Sequence, residues 1–369
     1  MHCKYLIRVD FACLLKYKKI LSNTSHVLES LPRKVVNHIK PCTSDYNIED
    51  IKDKVLIDVN DTGKIINWRE KKLTTLDLAE SYRRLGLDSK HYRVKECGTY
   101  LEYKRFKDES MKLNQANFCK VRLCPMCSWR RSLKIYGQVS KVMDHAADNK
   151  DYDYIFLTLT VKNCTGDELK DTIDILMNGF NRMTKRKIYK NSIKGHFRAL
   201  EITHNLITDT YHPHFHCILV VNKSYFDSRD YISQREWTSL WKDVLKVDYT
   251  PIVDIRRFKD RKGKGISKSI AEVAKYTVKD NDYIVRDELG EVIETLTDDA
   301  VLILDQALAH RRLTAYGGVL KEIHQLLNLD DCEDGDLVNT DNEDLRDDLE
   351  YIIEKYSWNI GYKQYLRID

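Results

Sequence analysis

The nine residues from His212 to Val220 read HPHFHCILV, two histidines one residue apart running into an apolar stretch. A short apolar run of this kind reads as a buried strand. Alternate side chains of a strand point to the same face, so the imidazoles of His214 and His216 would project together, about 6.6 Å apart along the backbone. Two side chains of that length can converge on one ion. An isolated HxH is nevertheless more often a pair of core or surface histidines, so the neighbouring chain has to decide.

Upstream, Phe197–Thr203 (FRALEIT) reads as a second strand, joined to the first by a short polar connection in the manner of a β-hairpin. With the turn near residues 207–208, Glu201 falls opposite His214 or His216. Two imidazoles and a carboxylate with open positions suit a catalytic divalent cation that also binds substrate oxygen. The other reading of Glu201 is a cross-strand partner for a basic side chain. Further upstream, Tyr154–Val161 (YIFLTLTV) alternates as a strand, with Ile155, Leu157, Leu159 and Val161 on one face. Thr165 and Glu168 form a capping box ahead of a helix whose apolar face is Leu169, Ile173, Leu176, Phe180 and Met183. Helical spacing also appears over residues 75–85, ended by Gly86, and over Trp237–Leu245.

Downstream lies Ser269–Lys279 (SIAEVAKYTVK). On a helix, Ile270, Val273, Ala274 and Val278 form a buried side, while Glu272, Lys275, Tyr276 and Lys279 fall within about 100° of each other on the opposite side. Lysines beside a tyrosine favour the phenolate and can hold a phosphate, whereas an unassisted phenol, with a pKa of about 10, is a weak nucleophile at neutral pH. The plain alternative is a Ser269–Glu272 capping box with Tyr276 as a surface ring.

Four of the ten cysteines are spaced for metal: Cys97, Cys119, Cys124 and Cys127. The CPMC turn at 124–127 is a tight knuckle that presents two thiolates to tetrahedral zinc. Cys97 is the weakest of the four, with His91 as a substitute. Reduced bystander thiols are the other reading; a redox CxxC lacks the surrounding thioredoxin-like pattern. Lys120, Arg122, Arg130, Arg131 and Lys134 flank the knuckle and are expected to meet phosphates.

A chain of 369 residues, 42% hydrophobic, can bury a sizeable core and suggests two domains or one elaborated domain. Net charge is only +4, but it is segregated. Seven Lys/Arg and no acid lie between Arg182 and Arg198, seven Lys/Arg against two Asp between Asp254 and Lys268, and ten acids with one Arg between Asp330 and Asp348. Basic stretches of this kind suit a polyanion partner, and each alone reads equally as a solvated face. In the second run, Gly263 and Gly265 between Lys262 and Lys264 suggest a loop that approaches a phosphate backbone closely, with Arg256 and Arg257 just before it. Arg8 and Asp10 interrupt the one apolar stretch near the N-terminus, so no secretory signal is read. No run reaches membrane-spanning length, and the expected location is the cytoplasm. The expected organisation is an N-terminal extension (1–50), a zinc-binding and DNA-contacting region (51–150), a catalytic domain (151–290) and a helical C-terminal region with the acidic stretch (291–369).

Taken in order, RLCPMCSWRRSLK (122–134), FLTLT (156–160), HPHFH (212–216) and EVAKYTVK (272–279) resemble the replication initiators of small rolling-circle plasmids of Gram-positive bacteria, within the HUH endonuclease superfamily. The likeness runs from about Trp68 to the C-terminus and includes RRLTAYGGVLKEIHQLLNLDDCEDGDLV (311–338). It implies an α+β fold: a central antiparallel sheet with helices on one side, the histidine strand central and the tyrosine helix beside it. It implies that His214 and His216, with Glu201, hold Mg²⁺ or Mn²⁺, separate from structural Zn²⁺. Tyr276 would attack the scissile phosphate and become joined to the 5′ end, leaving a 3′-OH as primer, with Lys275 and Lys279 alongside. Glu272 matches the carboxylate thought to activate water for a second cut, and Tyr283 is a weaker candidate for a second nucleophile. His212 stays open between third ligand, proton donor and strand-start packing. The implied partners are plasmid origin DNA at a single-stranded or hairpin nick site, a host helicase and polymerase, and a second copy of the chain. Two other functions fit the residues: a zinc-dependent DNA-binding regulator that does not cleave, and a metal nuclease that uses water.

Overall fold

The computed structural model describes residues 48–60, 63–149, 151–258, 270, 278–340 and 350–368. Glu272, Lys275, Tyr276, Lys262 and Lys264 lie outside the described residues, as does most of the 1–50 extension. The described chain is α+β, with eight α-helices and two antiparallel sheets. Helices α1 (Trp68–Arg84) and α2 (Asp88–Glu96) precede strands β1 (Tyr100–Phe106) and β2 (Met111–Ala116). Helix α3 (Pro125–Ala147) starts where Pro125 takes the first helical position, a place where its missing N–H costs nothing. Then come β3 (Tyr152–Thr160), α4 (Gly166–Met183), α5 (Lys187–Ser192) and the long hairpin of β4 (Ile193–Asn205) and β5 (Thr210–Asn222). Helix α6 (Gln234–Leu245), β6 (Val253–Arg257), α7 (Glu294–Leu308), β7 (Thr314–Gly318), α8 (Val319–Leu326), β8 (Tyr351–Asn359) and β9 (Gln364–Ile368) complete the order.

The larger sheet runs β6-β3-β5-β4-β7, which makes the histidine strand β5 central. The hairpin register pairs Glu201 with His214, one of the two partners expected for it. Helices cover both faces of this sheet, where one was expected. On one side Leu157, Leu159, Phe215, Cys217 and Leu219 belong to the same core as Leu169, Ile173, Leu176 and Phe180 of α4 and Trp237 and Trp241 of α6. On the other, Phe156, Phe197, Ile218 and Val220 pack with Val139, Val142 and Met143 of α3 and Leu320 of α8. The reason is in the sequence of β5: Cys217–Val221 is apolar at every position, so both of its faces need cover, and all five residues are fully buried. The expected capping box at Thr165–Glu168 forms and sets the start of α4, and a second, Ser233–Glu236, starts α6 three residues ahead of the expected Trp237.

The smaller sheet runs β2-β1-β8-β9. The helical C-terminal region expected for 291–369 holds α7 and α8, but it also contributes β7 to the larger sheet and the β8–β9 hairpin to the smaller. The strands of each sheet therefore come from more than one of the expected segments. In β8, Glu354, Tyr356 and Trp358 alternate inward, the period-2 signal of a half-buried strand.

Basic residues expected on a DNA face turn out to be internal. Arg130 and Arg131 are only 4% and 7% exposed. Arg130 donates to the carbonyls of Leu337 and Val338, and Arg131 to those of Glu333 and Lys120. Arg122 pairs with Glu333, and Lys134 with Asp330 at 2.6 Å. Residues 330–338 thus pack on α3 and supply the acceptors for its buried cations. Burying a guanidinium is tolerated only when its N–H groups are bonded, and the acidic segment supplies the acceptors.

Candidate metal centres

His214 and His216 leave β5 on the same face and are each 8% exposed; Glu201 on β4 is 7% exposed. Glu201 Oε2 lies 2.8 Å from His216 Nε2 and 3.5 Å from His214 Nε2, and the two Nε2 atoms are 3.2 Å apart. His214 Nδ1 is 3.0 Å from the carbonyl of His212, an atom that can only accept, so Nδ1 carries the proton and Nε2 presents a lone pair. His216 Nδ1 shares a hydrogen bond with the Thr158 hydroxyl at 3.3 Å. Lone pairs and a carboxylate converging at these distances repel one another unless a cation lies among them, and an imidazole-plus-carboxylate donor set suits one. Burial raises the Glu201 carboxyl, but the two imidazoles beside it outweigh burial and hold the group well below the usual carboxylate range.

Three further residues border this trio. Lys279, half-exposed, places Nζ 3.6 Å from Glu201 Oε1. His212 stacks its ring on that of His214 with centroids 5.0 Å apart, and it is not among the three residues whose ligand atoms converge. Asp282 is raised above its usual range chiefly by burial; its backbone carbonyl meets His204 Nδ1 at 3.0 Å. Ile270 and Val278, expected on the buried side of the tyrosine segment, are both buried.

The second cluster is sulfur. All four sulfurs of Cys97, Cys119, Cys124 and Cys127 lie within 4.8 Å of one another, with Cys97–Cys127, Cys97–Cys124 and Cys119–Cys127 separations of 3.5, 3.6 and 3.7 Å. A tetrahedral ion with Zn–S bonds of about 2.3 Å requires S···S distances near 3.8 Å, so the residues fit zinc. Cys97 takes the fourth corner. His91, its expected substitute, is occupied instead by the carbonyl of Ala79 at 2.8 Å. Backbone amides of Cys119, Lys120 and Val121 point at sulfurs at 3.2–3.4 Å, as thiolates require.

Sequence reasoning passed over Lys72. Its side chain is fully buried, and Nζ donates to the carbonyls of Lys95 and Cys97 at 2.7 and 2.8 Å. Burial pushes this ammonium below its usual range while the charges of Cys97 and Cys124 pull it up. A Zn(Cys)₄ group carries two net negative charges, and Lys72 is placed to offset part of them. The only signal in sequence is a lysine at a helix position whose neighbours on the same face, Trp68, Thr75 and Ala79, are buried.

Tyr283 is corrected outright as a nucleophile candidate. It is 1% exposed and its hydroxyl donates to the carbonyl of Leu123, beside the knuckle. Tyr283→Phe is expected to cost about 1–2 kcal/mol, the penalty of an unpaired buried carbonyl, in denaturant unfolding. The same variant should form any covalent DNA adduct as the wild type does.

The second basic run divides. Arg256 is exposed on the edge strand β6 beside Asp254, and Arg257 is committed to Asp153 at 2.6 Å and lies over the Phe226 ring.

Residues 110–366 match the Rep_1 family, described as Replication protein. The chain is 44% identical over 336 residues to "Protein rep" of Bacillus amyloliquefaciens, covering 85% of this chain and 97% of that one. It is 42% identical over 299 residues to "Protein rep" of Streptococcus pneumoniae, covering 79% of this chain and 90% of that one. No solved structure matches the chain. The chain belongs to the replication protein family, a plasmid replication initiator as the resemblance of its motifs implied.

Proposed function

We propose that this initiator is a metal-dependent nickase of the HUH type, which cuts one strand of the plasmid origin through Tyr276 and rejoins it after rolling-circle synthesis. The observation that carries the reading is the Glu201–His214–His216 cluster with Lys279 against it. Tyr276 is three residues from Lys279 in the chain. That proximity supports a phenol working beside the ion.

A Mg²⁺ or Mn²⁺ ion held by Glu201, His214 and His216 would supply Lewis acidity at an oxygen of the scissile phosphate. Lys279, with Lys275, would hold the anionic phosphate against the Tyr276 oxygen. That oxygen forms the new O–P bond and gives up its proton. The P–O3′ bond breaks, and the 3′ oxygen takes a proton and stands as a primer end. One phosphodiester replaces another, so the same atoms reverse the step for rejoining. Glu272 would serve the second cut by activating water, and His212 would orient His214 through the stacked rings. The four cysteines would hold Zn²⁺ as a structural ion. Origin DNA is the substrate, and a host helicase and polymerase would use the 3′ end.

The test is to incubate the protein with a labelled single-stranded origin oligonucleotide and Mn²⁺ and look for a denaturation-resistant protein–DNA species. Tyr276→Phe should bind the oligonucleotide and yield neither nick nor adduct. Cleavage without an adduct would favour a water nucleophile, and no cleavage by the wild type would favour a DNA-binding regulator.

A further inference from the structure

With Arg130 and Arg131 buried and Arg122 and Arg257 paired, most of the described arginines expected to hold DNA are occupied elsewhere. The outer face of α6 offers what they do not. At 100° per residue, Arg235, Thr238, Ser239 and Lys242 fall within about 100° of arc, and Lys246, just past the helix end, continues the stripe. No ion pair to Arg235 or Lys242 is found among the described residues, and with Gln234 and Thr250 they line an open groove of about 740 Å³. The two acids of the helix sit about 40–60° beyond the Ser239 edge of the stripe and are engaged: Glu236 caps Ser233, and Asp243 pairs with Arg186.

The helix is held rigidly in that orientation. Its opposite side buries Trp237 and Trp241 completely, and Trp241 Nε1 donates to the carbonyl of Thr160 at 2.8 Å. Thr160 is the register partner of His214 on the neighbouring strand, so α6 is tied to the strand that flanks the histidines. The lysines of α5, Lys187 and Lys190, are exposed, and α5 lies beside α6 through the Tyr189–Trp237 ring contact at 6.3 Å.

We infer that the Arg235–Lys242 face of α6 is a docking surface for duplex DNA. It deepens the reading of the chain as an origin-binding initiator and rests on it. The face carries cations and hydroxyls, the groups that contact phosphates, on a rod about 18 Å long that suits a groove about 12 Å wide. Single-strand binders instead offer aromatic platforms for unstacked bases. Here the tryptophans are turned inward, and no aromatic residue lines the groove among the described residues. The partner that fits is therefore the double helix flanking the nick site, not the strand being cut.

The test uses the full chain with alanine at both Arg235 and Lys242, and a fluorescent 30-base-pair duplex and 30-base single strand as probes across a potassium chloride series. The salt slope for the duplex is expected to fall by about 1.8, the value for two phosphate contacts, with a drop of at least tenfold in duplex affinity near 0.15 M salt. Single-strand affinity should stay within about twofold. A control with Lys170→Ala and Lys321→Ala, which removes the same charge from α4 and α8, should match the wild type on both probes. An unchanged duplex slope, or a loss shared equally by the single strand or by the control, overturns the inference. These are binding measurements, so they stand whether or not the wild type forms the covalent adduct. A wild type that binds duplex through α6 yet never nicks would remove the nickase reading alone.

Discussion

Alanine in place of His216 is expected to lower metal-dependent cleavage of a single-stranded substrate by about a thousandfold or more, because roughly 4 kcal/mol of charge stabilisation is lost with one of three ligands. His216 is the imidazole closer to Glu201, at 2.8 Å, and its Nε2 lies 3.2 Å from that of His214. Its removal leaves a 7%-exposed carboxylate with His214 and the half-exposed Lys279 as its remaining partners. Lys279 should then close on Glu201 and occupy the position a cation would take. Glu201→Gln is the matching change that keeps shape and removes charge, and it should show the same loss. Calorimetric titration with Mn²⁺ alone gives a readout independent of cleavage: the wild type should bind one ion at this centre, and both variants should bind it at least about tenfold more weakly. Wild-type cleavage and Mn²⁺ affinity in His216→Ala would mean that the cluster is only a buried hydrogen-bonded trio.

Cys124→Ser is expected to have the largest effect on stability. Structural zinc contributes about 10–16 kcal/mol in small zinc-dependent folds, so losing one ligand should cost on the order of 5 kcal/mol here. For a chain of this size that corresponds to a fall in Tm of about 6–7 °C. Cys124 is fully buried at the junction of α1, α3 and the smaller sheet, with the Met126 amide bonded to the Thr75 hydroxyl at 3.2 Å just beyond it. Two buried groups depend on the same cluster. Lys72 loses the negative charge it faces, and the Leu123 carbonyl that receives Tyr283 loses its fixed position. Metal analysis should find one zinc per chain in the wild type and none in the variant, and a chelator should bring the wild type to the same Tm. A Cys124→Ser protein that melts with the wild type would show that packing, not metal, holds the knuckle together.

How much of this was legible beforehand depended on whether a feature is local. The capping box at Thr165, the alternation of Tyr154–Val161 and the hairpin that pairs Glu201 with His214 all arise from residues near one another in the chain. Period, cap and turn length are short-range properties, so they survive without knowledge of the rest. The spacing of Cys119, Cys124 and Cys127 was readable for the same reason. Arg130 and Arg131 show the limit. Read locally they are a basic patch beside a knuckle, yet their acceptors at Glu333, Leu337 and Val338 lie some two hundred residues away. The described part of the acidic stretch, 330–338, shows the same from the other side, because its partners on and before α3 lie about two hundred residues earlier in the chain.

Sequence alone determined that β5 is a buried strand bearing two histidines on one face, that a carboxylate lies opposite, and that cysteines cluster near residue 124. Those conclusions follow from the two-residue repeat of a strand and the tight turn of a CxxC. Only the tertiary structure decided that Cys97 closes the sulfur tetrad, that Lys72 sits beneath it, that Tyr283 is a buried anchor, and that the chain's end returns as β8 and β9 to pair with β1. Each of these joins residues far apart in the chain. Which distant group meets a buried cation or carbonyl is settled by the need to bond every desolvated polar atom at once, a condition that acts on the whole fold and leaves no mark on any single stretch.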